Sequence, residues 1–405
     1  MISVGIDVSK GTSTVCVMKP GGEVLQAPFE ILHTIEGIVS LTNLIKTYDE
    51  EVRVILEDTG HYHWPVVTLL TGNSIFVCCV NALRMKKYCS QSIRRAKTDK
   101  IDSVRIASYG ITYWNELSPV LSTTDTYREL KLLARQYYQT TSLLVKAKVN
   151  LSNLLDQVMP NIQDVLQDNL CNNKLTDFVK RYFHFNRIVS MGKSKFTADY
   201  CKWAKKQGYR MNERKAEEIF ALSQNGIPVL PNSQSTKIVV MEVVRILHEI
   251  EVSRNTILTQ MQMLAKTLPE YSVVREMPCI GDTLAPRIIA EIGDVRRFTS
   301  KRALIAYAGI DAPPYQSGSF NATERHISKR GNCYLRKTGY EVMQCLIQHK
   351  PDVAVFAFIQ KKRSEGKCAK ESMIAGLNKF LRVYYGRVRE MHRIIDEQFI
   401  LDTPA

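Results

Sequence analysis

An aspartate inside an apolar strand is the first residue of this chain whose setting points to chemistry. Apolar residues at every second position from Ile2 to Val8 predict a strand, and Asp7 lies on the opposite face of it. A carboxylate that is buried without a partner is costly. We therefore expect Asp7 to meet a metal ion or the cation of a lysine or arginine, unless it is a surface or turn residue.

Two further carboxylates, Asp99 and Asp102, stand three residues apart just before the helical pattern of Val104–Tyr109. On a helix, this spacing turns both side chains the same way. The preceding Thr98 is also a typical N-cap residue, and acids near a helix start favour the helix dipole. The pair therefore indicates either part of a site or a capped helix start.

The elements around Asp7 predict an α/β domain. Three strands joined by tight turns form an antiparallel meander, and a strand–helix–strand unit with short loops follows, which implies parallel pairing. One buried strand of this unit ends in Glu57-Asp58-Thr59-Gly60. Ribonuclease-H-like domains have this order, and actin-like ATPases begin the same way. The predicted elements are strands at Ser13–Met18, Glu23–Gln26, Val52–Leu56 and Ile75–Val80, with helices between Thr34 and Glu50 and over Trp64–Leu70.

The middle of the chain predicts a long helical arm. Apolar residues recur at steps of three and four from Thr124 to Leu166 and again from Ser235 to Leu268. Two such helices far apart in sequence favour an antiparallel, coiled-coil-like pair. The polar stretch between them, Gln167–Pro231, indicates either a small helical insertion facing nucleic acid or a solvated spacer.

The last third of the chain predicts a separate, mainly helical domain. Gly281 stands in a turn that resembles that of a helix-hairpin-helix, where backbone N–H groups and a helix start meet a phosphate. Tyr307-Ala308-Gly309 and Gln316-Ser317-Gly318 follow, and then the basic stretch Arg325–Lys337. This stretch is either a phosphate contact or a solvated surface.

Composition points to a nucleic acid partner inside a cell. The net charge is +15 and the pI is near 9.3, which favours DNA or RNA as the partner. The ten cysteines are scattered without zinc-finger spacing, as expected for thiols in a reducing cytoplasm. No signal peptide or membrane-spanning run is recognisable. We therefore expect a soluble, intracellular protein.

Several motifs together resemble the DEDD-type transposases of the IS-one-ten group (IS110) of insertion sequences. These join a RuvC-like ribonuclease-H-fold domain to a C-terminal transposase domain that carries a serine. The matching pieces run the full length of the chain and are Gly5–Lys10, Glu57–Gly60, Lys97–Asp102, the Gly281 turn, Tyr307–Gly309 with Pro313, Gln316–Gly318, and Lys329–Asn332 with Leu335 and Arg336.

The resemblance implies a site and a mechanism. It assigns an acidic quartet, a nucleophilic serine that forms a covalent link to DNA, and the hard-oxygen chemistry that favours Mg²⁺ or Mn²⁺. The chain departs from the family by an extra acid, Asp58, and Ser319 is a rival for the serine. The implied catalytic residues are Asp7, Glu57, Asp99, Asp102 and Ser317, of which the four acids would bind metal.

The resemblance also implies partners and a division of the chain. The partners are DNA, a structured guide RNA from the element itself, and further copies of the chain in a dimer or tetramer. Residues 1–116 would form the acidic domain, 117–268 the arm with its insertion, and 269–405 the serine domain. The expected nucleic-acid contacts are Lys97, Gly281, Lys329, Arg330 and Arg336.

Three classes of function remain open on the sequence. The first is a serine-using, metal-assisted DNA recombinase. The second is a metal-dependent nuclease of the Holliday-junction type, in which activated water cuts DNA and Ser317 only packs or binds. The third is a non-catalytic protein of actin-like fold, although no glycine-rich phosphate loop follows Asp7 at Ser9–Thr14.

Overall fold

The computed structural model describes residues 1–58, 60–90, 98–120, 125–166, 173–313, 316–317, 320–321 and 326–402, the side chains of 317, 320–321 and 399–402 excepted. The chain forms two compact units, Met1–Ser122 and Thr123–Ala405. The predicted division into three domains stays a prediction. Every cysteine in the described ranges is a free thiol, as predicted. None of the helices in these ranges has the length and hydropathy needed to cross a membrane.

A five-stranded sheet organises the first unit. Its spatial order is β3-β2-β1-β4-β5, with β1, β4 and β5 parallel and the first three strands forming the predicted meander. The third strand is longer than predicted and lies at the sheet edge, where a proline such as Pro28 is tolerated. The strands are β1 (Ile2–Val8), β2 (Thr12–Met18), β3 (Val24–Leu32), β4 (Val52–Asp58) and β5 (Phe76–Asn81).

Helices cover both faces of this sheet. On one face, α1 and α2 pack their apolar residues against Val4, Ile6, Val54 and Leu56. On the other face, α3 and α4 cover Ile55 and the β5 residues beside it. The mixed α/β domain is thus confirmed, with helices at α1 (Ile35–Lys46), α2 (Trp64–Gly72), α3 (Ala82–Cys89) and α4 (Asp99–Thr112).

Across residues 125–166 and 173–265, seven helices form the middle of the chain. They are α5 (Asp125–Val158), α6 (Ile162–Leu166), α7 (Asn173–Tyr182), α8 (Phe185–Met191), α9 (Lys193–Lys206), α10 (Glu213–Asn225) and α11 (Gln234–Ala265). The two longest pack side by side and are antiparallel, because Leu130 near the start of α5 shares a core with Met261 near the end of α11. Leu151 further along α5 shares a second core with Val244. The predicted arm is confirmed.

The insertion is a folded helical module and not a spacer. Helices α6–α10 pack on the far end of the arm, and Phe178, Tyr182, Phe196 and Tyr200 are fully or almost fully buried there. Burial of four large aromatic side chains supplies the apolar area that a solvated linker lacks. These four aromatic residues are therefore core residues of a helical module.

The C-terminal part is mainly helical, as predicted. A short two-stranded pair interrupts the helices: Gln316 pairs with Asn321 and Ser317 with Phe320. Around Gly281 a short helix, a turn and a second helix follow one another, but the helix-hairpin-helix itself stays a prediction. The elements are α12 (Tyr271–Arg275), α13 (Leu284–Ile292), α14 (Lys301–Ala308), β6 (Gln316–Ser317), β7 (Phe320–Asn321), α15 (Cys333–His349), α16 (Ala354–Ser364) and α17 (Ala369–Asp402).

Candidate active sites

Two of the predicted acids lie near the ends of neighbouring strands, at the same end of the sheet. Ile6 of β1 pairs with Leu56 of β4 in the parallel ladder, so Asp7 and Glu57 come next on the two strands. Side chains alternate along a strand, and both acids therefore lie on the face opposite to Ile6 and Leu56. Both are half-buried. The sheet itself thus brings Asp7 and Glu57 together on the face that α4 covers.

Helix α4 packs on β1 without any gap at Gly5. A methyl group built on Gly5 would lie 2.2 Å from the backbone N of Ala107 and 2.4 Å from the carbonyl O of Ser103. Further along, a methyl group on Gly110 would lie 2.2 Å from Oγ of Ser3. The helix therefore runs antiparallel to β1, and its first turn lies toward the strand end that carries Asp7.

That first turn contains Asp99 and Asp102. They continue, at steps of three and four residues, the stripe of α4 that packs on β1 through Ser103 and Ala107. Oγ1 of Thr98 accepts a hydrogen bond from the Ile101 N–H at 3.3 Å, so the N-cap interpretation is confirmed as well. The two interpretations of the pair are compatible, because the capped first turn lies toward the strand end that carries Asp7; within this turn Asp102 is half-buried and Asp99 is exposed.

One arginine and three of the predicted carboxylates act on the pKa of a cysteine at this strand end. Burial raises the pKa of the Cys89 thiol; the Arg105 guanidinium opposes this, and the carboxylates of Asp102, Glu57 and Asp7 add to it. Three of the four predicted acids thus lie near one thiol. Arg105 also donates a hydrogen bond to Oδ1 of Asp102 at 3.1 Å, whereas the cation or metal expected for Asp7 stays a prediction.

The acids have the right chemistry for a hard divalent cation, but the described residues do not form a complete set of metal ligands. Carboxylate oxygens are the donors that Mg²⁺ and Mn²⁺ prefer. Within the described ranges, no three His, Cys, Asp or Glu side chains come together as a metal-binding group. Asp58, the extra acid beside Glu57, is exposed, and its Oδ1 lies 3.7 Å from Nε2 of the buried His63. This pairing turns Asp58 to His63 rather than to Asp7.

The strand pair that carries Ser317 rises from a tightly built neck, which we define as residues 307–311 and 328–332. Backbone hydrogen bonds join its two sides: Lys329 N–H to Gly309 O at 3.0 Å and Asn332 N–H to Tyr307 O at 2.6 Å. Oγ of Ser328 also donates to Oδ1 of Asp311. The two motifs that flank Ser317 in the sequence thus pack on each other.

A buried glutamate that the sequence analysis missed anchors this neck. Glu291 of α13 is 1% exposed and accepts hydrogen bonds from Nδ2 of Asn332 at 2.7 Å and from Arg135 of α5 at 3.0 Å. Asn332 in turn caps α15 by accepting from the N–H groups of Tyr334 and Leu335. Helical periodicity alone marks Glu291 only as an acid inside an apolar helix, the same signal that singled out Asp7.

The predicted nucleic-acid contacts differ in their surroundings. Lys329 and Arg330 are exposed on the neck, and Lys329 has a positive φ of 52°. Arg336 is half-buried and donates to the carbonyl O of Ala308 at 2.9 Å, so its guanidinium has a structural role in the neck. Beside Gly281, the Asp282 carboxylate accepts from Arg275 at 2.7 Å and places an acid at the turn. Lys97, Ser319 and the Ser317 side chain lie outside the described part.

We expect Gly331→Ala to disrupt the neck. A methyl group on Gly331 would lie 2.3 Å from the Tyr307 carbonyl O and 2.7 Å from the Gly309 N, and neither backbone atom can move freely. Overpacking of this kind costs about 1–3 kcal/mol. Thermal unfolding should show the loss, whereas Gly386→Ala, at a helical position with no atom within 4 Å, should not. Equal melting temperatures for both variants would contradict the packing described here.

Known proteins that resemble the chain are transposases and recombinases. A family model described as Transposase (the DEDD transposases of IS110) matches residues 4–160, and one described as Transposase IS116/IS110/IS902 family matches residues 271–357. The pilin gene-inverting proteins of Moraxella lacunata and Moraxella bovis are each 21% identical over 399 residues, covering 96% of this chain and 95% of theirs.

Among solved structures, Thermus thermophilus RuvC matches 30% of this chain and 100% of its own, at 12% identity and a TM-score of 0.24. The two family models cover the segments that carry the acids and the serine motif, respectively. Both segments therefore contain the motifs on which the resemblance rests, in the same order, and the chain belongs to the IS116/IS110/IS902 family of transposases.

Proposed function

We propose that this transposase cuts and rejoins DNA through a covalent link between DNA and Ser317, assisted by the four acids. The observation that carries the proposal is the packing of α4 on β1 at Gly5. It aims the turn with Asp99 and Asp102 at the strand end that bears Asp7 and Glu57. Hard-oxygen donors gathered at one end of a sheet are what phosphoryl transfer requires.

The serine step conserves the number of phosphodiester bonds. Oγ of Ser317 attacks a backbone phosphorus, a new O–P bond forms, and the P–O bond to one deoxyribose breaks. The serine proton is lost to a base or to solvent, and the leaving sugar oxygen takes up a proton. In the reverse step, a sugar hydroxyl attacks the phosphoserine and frees Ser317. Relatives named for inverting a gene support this scheme, since inversion requires rejoining as well as cutting.

The four acids would hold Mg²⁺ or Mn²⁺. When bound, such an ion stabilises negative charge that develops on phosphate oxygens. Asp102 could bind the ion through Oδ2 while Oδ1 keeps the hydrogen bond from Arg105, because a carboxylate has two acceptor oxygens. Arg105 would remain nearby as a cation for the phosphate.

Partners follow from the same proposal. Lys97, Lys329 and Arg330 would contact phosphates, as would the backbone of the Gly281 turn and the N–H groups of Arg336 that do not bond to Ala308. A structured guide RNA from the element would read sequence by base pairing. Joining several strand ends requires a dimer or tetramer, with the protein associated with the nucleoid of a prokaryotic cell. Exposed apolar residues along the arm support self-assembly there: Val145 and Val149 on α5, and Ile238 and Ile246 on α11.

The acid site is tested by Asp7→Asn and Asp102→Asn. With DNA that carries the element's ends, its flanking RNA and Mg²⁺, we expect each variant to lower the rate of strand cutting roughly a thousandfold, about 4 kcal/mol of transition-state stabilisation. Denaturing gels measure the cut strands. Asp58→Asn is the matched control, because Asp58 adjoins Glu57 but is turned to His63. Strand cutting by Asp7→Asn at the wild-type rate would contradict the proposed acid site.

A further inference from the structure

We propose that a basic groove beside the neck binds single-stranded DNA. The groove has a volume of about 1180 Å³ and lies between the neck, α14, α16 and α17. This inference rests on the proposed function for the choice of DNA, and it adds a binding site outside both the acid site and the serine strands. Four observations on the described residues support it: the positive charge of the groove's rim, the apolar side chains at its base, its volume, and its position beside the Ser317 segment.

The rim of the groove is strongly positive. Five cations line it, and Glu371 is the one carboxylate among the lining residues. Within the described ranges, none of the five forms an ion pair with a carboxylate, and Arg382 donates only to the amide of Asn378, at 2.8 Å. Cations that are not paired with a carboxylate are available to a polyanion. They are Lys301, Lys367, Lys370, Lys379 and Arg382.

The floor of the groove is apolar and contains an aromatic ring. Ile310, Ile374 and Val383 line it together with Phe358, which is half-buried. The ammonium groups of Lys379 and Lys362 lie 4.9 Å and 5.4 Å from the centre of the Phe358 ring. An aromatic ring framed by cations is the arrangement by which proteins stack an unpaired base and hold the phosphates beside it.

The size of the groove favours a single strand over a duplex. Its volume is close to the upper end of small-ligand cavities, about 300–1,000 Å³. A few unpaired nucleotides fit such a space, whereas a duplex keeps its bases stacked inside and offers none to Phe358. The apolar floor would then serve no purpose, because a duplex presents phosphates to a groove.

The position of the groove ties it to DNA chemistry. Ile310 and Ala312 line it on one side of the Ser317 strand pair, and His326 and Ile327 line it on the other. Both ends of the segment that carries Ser317 thus border the groove. A strand held there lies next to the segment with the proposed nucleophile, so we assign the groove to DNA rather than to RNA.

The test measures binding without chemistry. Full-length protein in EDTA is titrated into fluorescent 12-nucleotide single-stranded DNA, and anisotropy is recorded over a range of salt. Each phosphate contact to a single strand contributes about 0.7 to the slope of log K against log salt. We therefore expect the double variant Lys370→Ala/Lys379→Ala to reduce this slope by about 1.4. The matched control, Lys131→Ala/Lys146→Ala with two exposed lysines of α5, should leave it unchanged.

The aromatic floor is tested by Phe358→Ala and Phe358→Trp. We expect the alanine variant to lower the affinity for single-stranded DNA roughly tenfold with the salt slope unchanged, and tryptophan to restore it. Equal or stronger binding of a duplex, stronger binding of single-stranded RNA, or an unchanged slope in the lysine variant would each overturn the proposal. The assay does not need Ser317 or metal, so its outcome is independent of the covalent-link test.

Discussion

Purified Ser317→Ala protein is expected to form no covalent adduct with DNA, whereas wild-type protein forms one. The adduct exists only if a side-chain oxygen replaces a sugar oxygen on phosphorus, and alanine has no such oxygen. The loss should therefore be complete rather than partial. Protein is incubated with element-end DNA, flanking RNA and Mg²⁺ and then run on a denaturing gel, where an adduct appears as a protein band shifted by the bound strand.

The control for this result is Ser319→Ala. Both serines stand in Gln316-Ser317-Gly318-Ser319, and Ser317 alone has the glutamine before it and the glycine after it that mark the family pattern. We expect Ser319→Ala to keep the adduct. An adduct lost in Ser319→Ala and kept in Ser317→Ala would move the nucleophile to Ser319. Cutting that survives Ser317→Ala without any adduct, but is lost in Asp7→Asn, would establish the metal-dependent nuclease instead.

Gly5→Ala is expected to unfold the acid site even though it alters no acid. The added methyl group meets the Ala107 N and the Ser103 O of α4, both backbone atoms, so the helix must move away from β1. We expect a loss of about 3 kcal/mol in the free energy of unfolding, which for a unit of this size lowers the Tm by roughly 10 °C. Strand cutting should also fall, because moving α4 carries Asp99 and Asp102 away from Asp7.

Gly72→Ala is the matched control for Gly5→Ala. Gly72 is the last residue of α2 in the same unit and has no atom within 4 Å of an added methyl group. Alanine there should leave the free energy of unfolding unchanged or raise it by about 0.5–1 kcal/mol, because alanine favours a helix over glycine. Differential scanning calorimetry measures both variants. A wild-type Tm for Gly5→Ala would mean that α4 does not pack on β1 as described.

Helix α4 shows which structural features could be predicted from neighbouring residues alone. The pattern of Val104–Tyr109 predicted a helix, and Thr98 predicted its cap, because periodicity and capping depend on neighbours a few residues away. The helix begins at Asp99, so both acids are in its first turn. That their helix turn lies toward the strand end with Asp7 depends on Gly5 and Gly110, whose lack of a side chain matters only once strand and helix touch.

In the C-terminal motifs, by contrast, the sequence alone did not predict which side chains have structural contacts. The basic residues after Ser317 predicted phosphate contacts as a group, yet Arg336 donates to the Ala308 carbonyl and Asn332 binds Glu291 and caps α15. Motif spacing cannot separate a phosphate contact from a structural hydrogen bond, because both need the same donors. The partner atom decides, and the Ala308 carbonyl and the Glu291 carboxylate lie 28 and 41 residues away from these donors.

By itself, the sequence determined the strands and helices of the first unit, the two long helices with their antiparallel pairing, and the resemblance to a transposase family, which named the acids. All of these follow from local periodicity or from motifs in a fixed order. Only the tertiary structure decided how α4 docks on β1, how Glu291 ties the arm to the neck, and that five cations and Phe358 meet in one groove. Those contacts join residues that are far apart along the chain, and their geometry is set by close packing between whole elements, which no local pattern encodes.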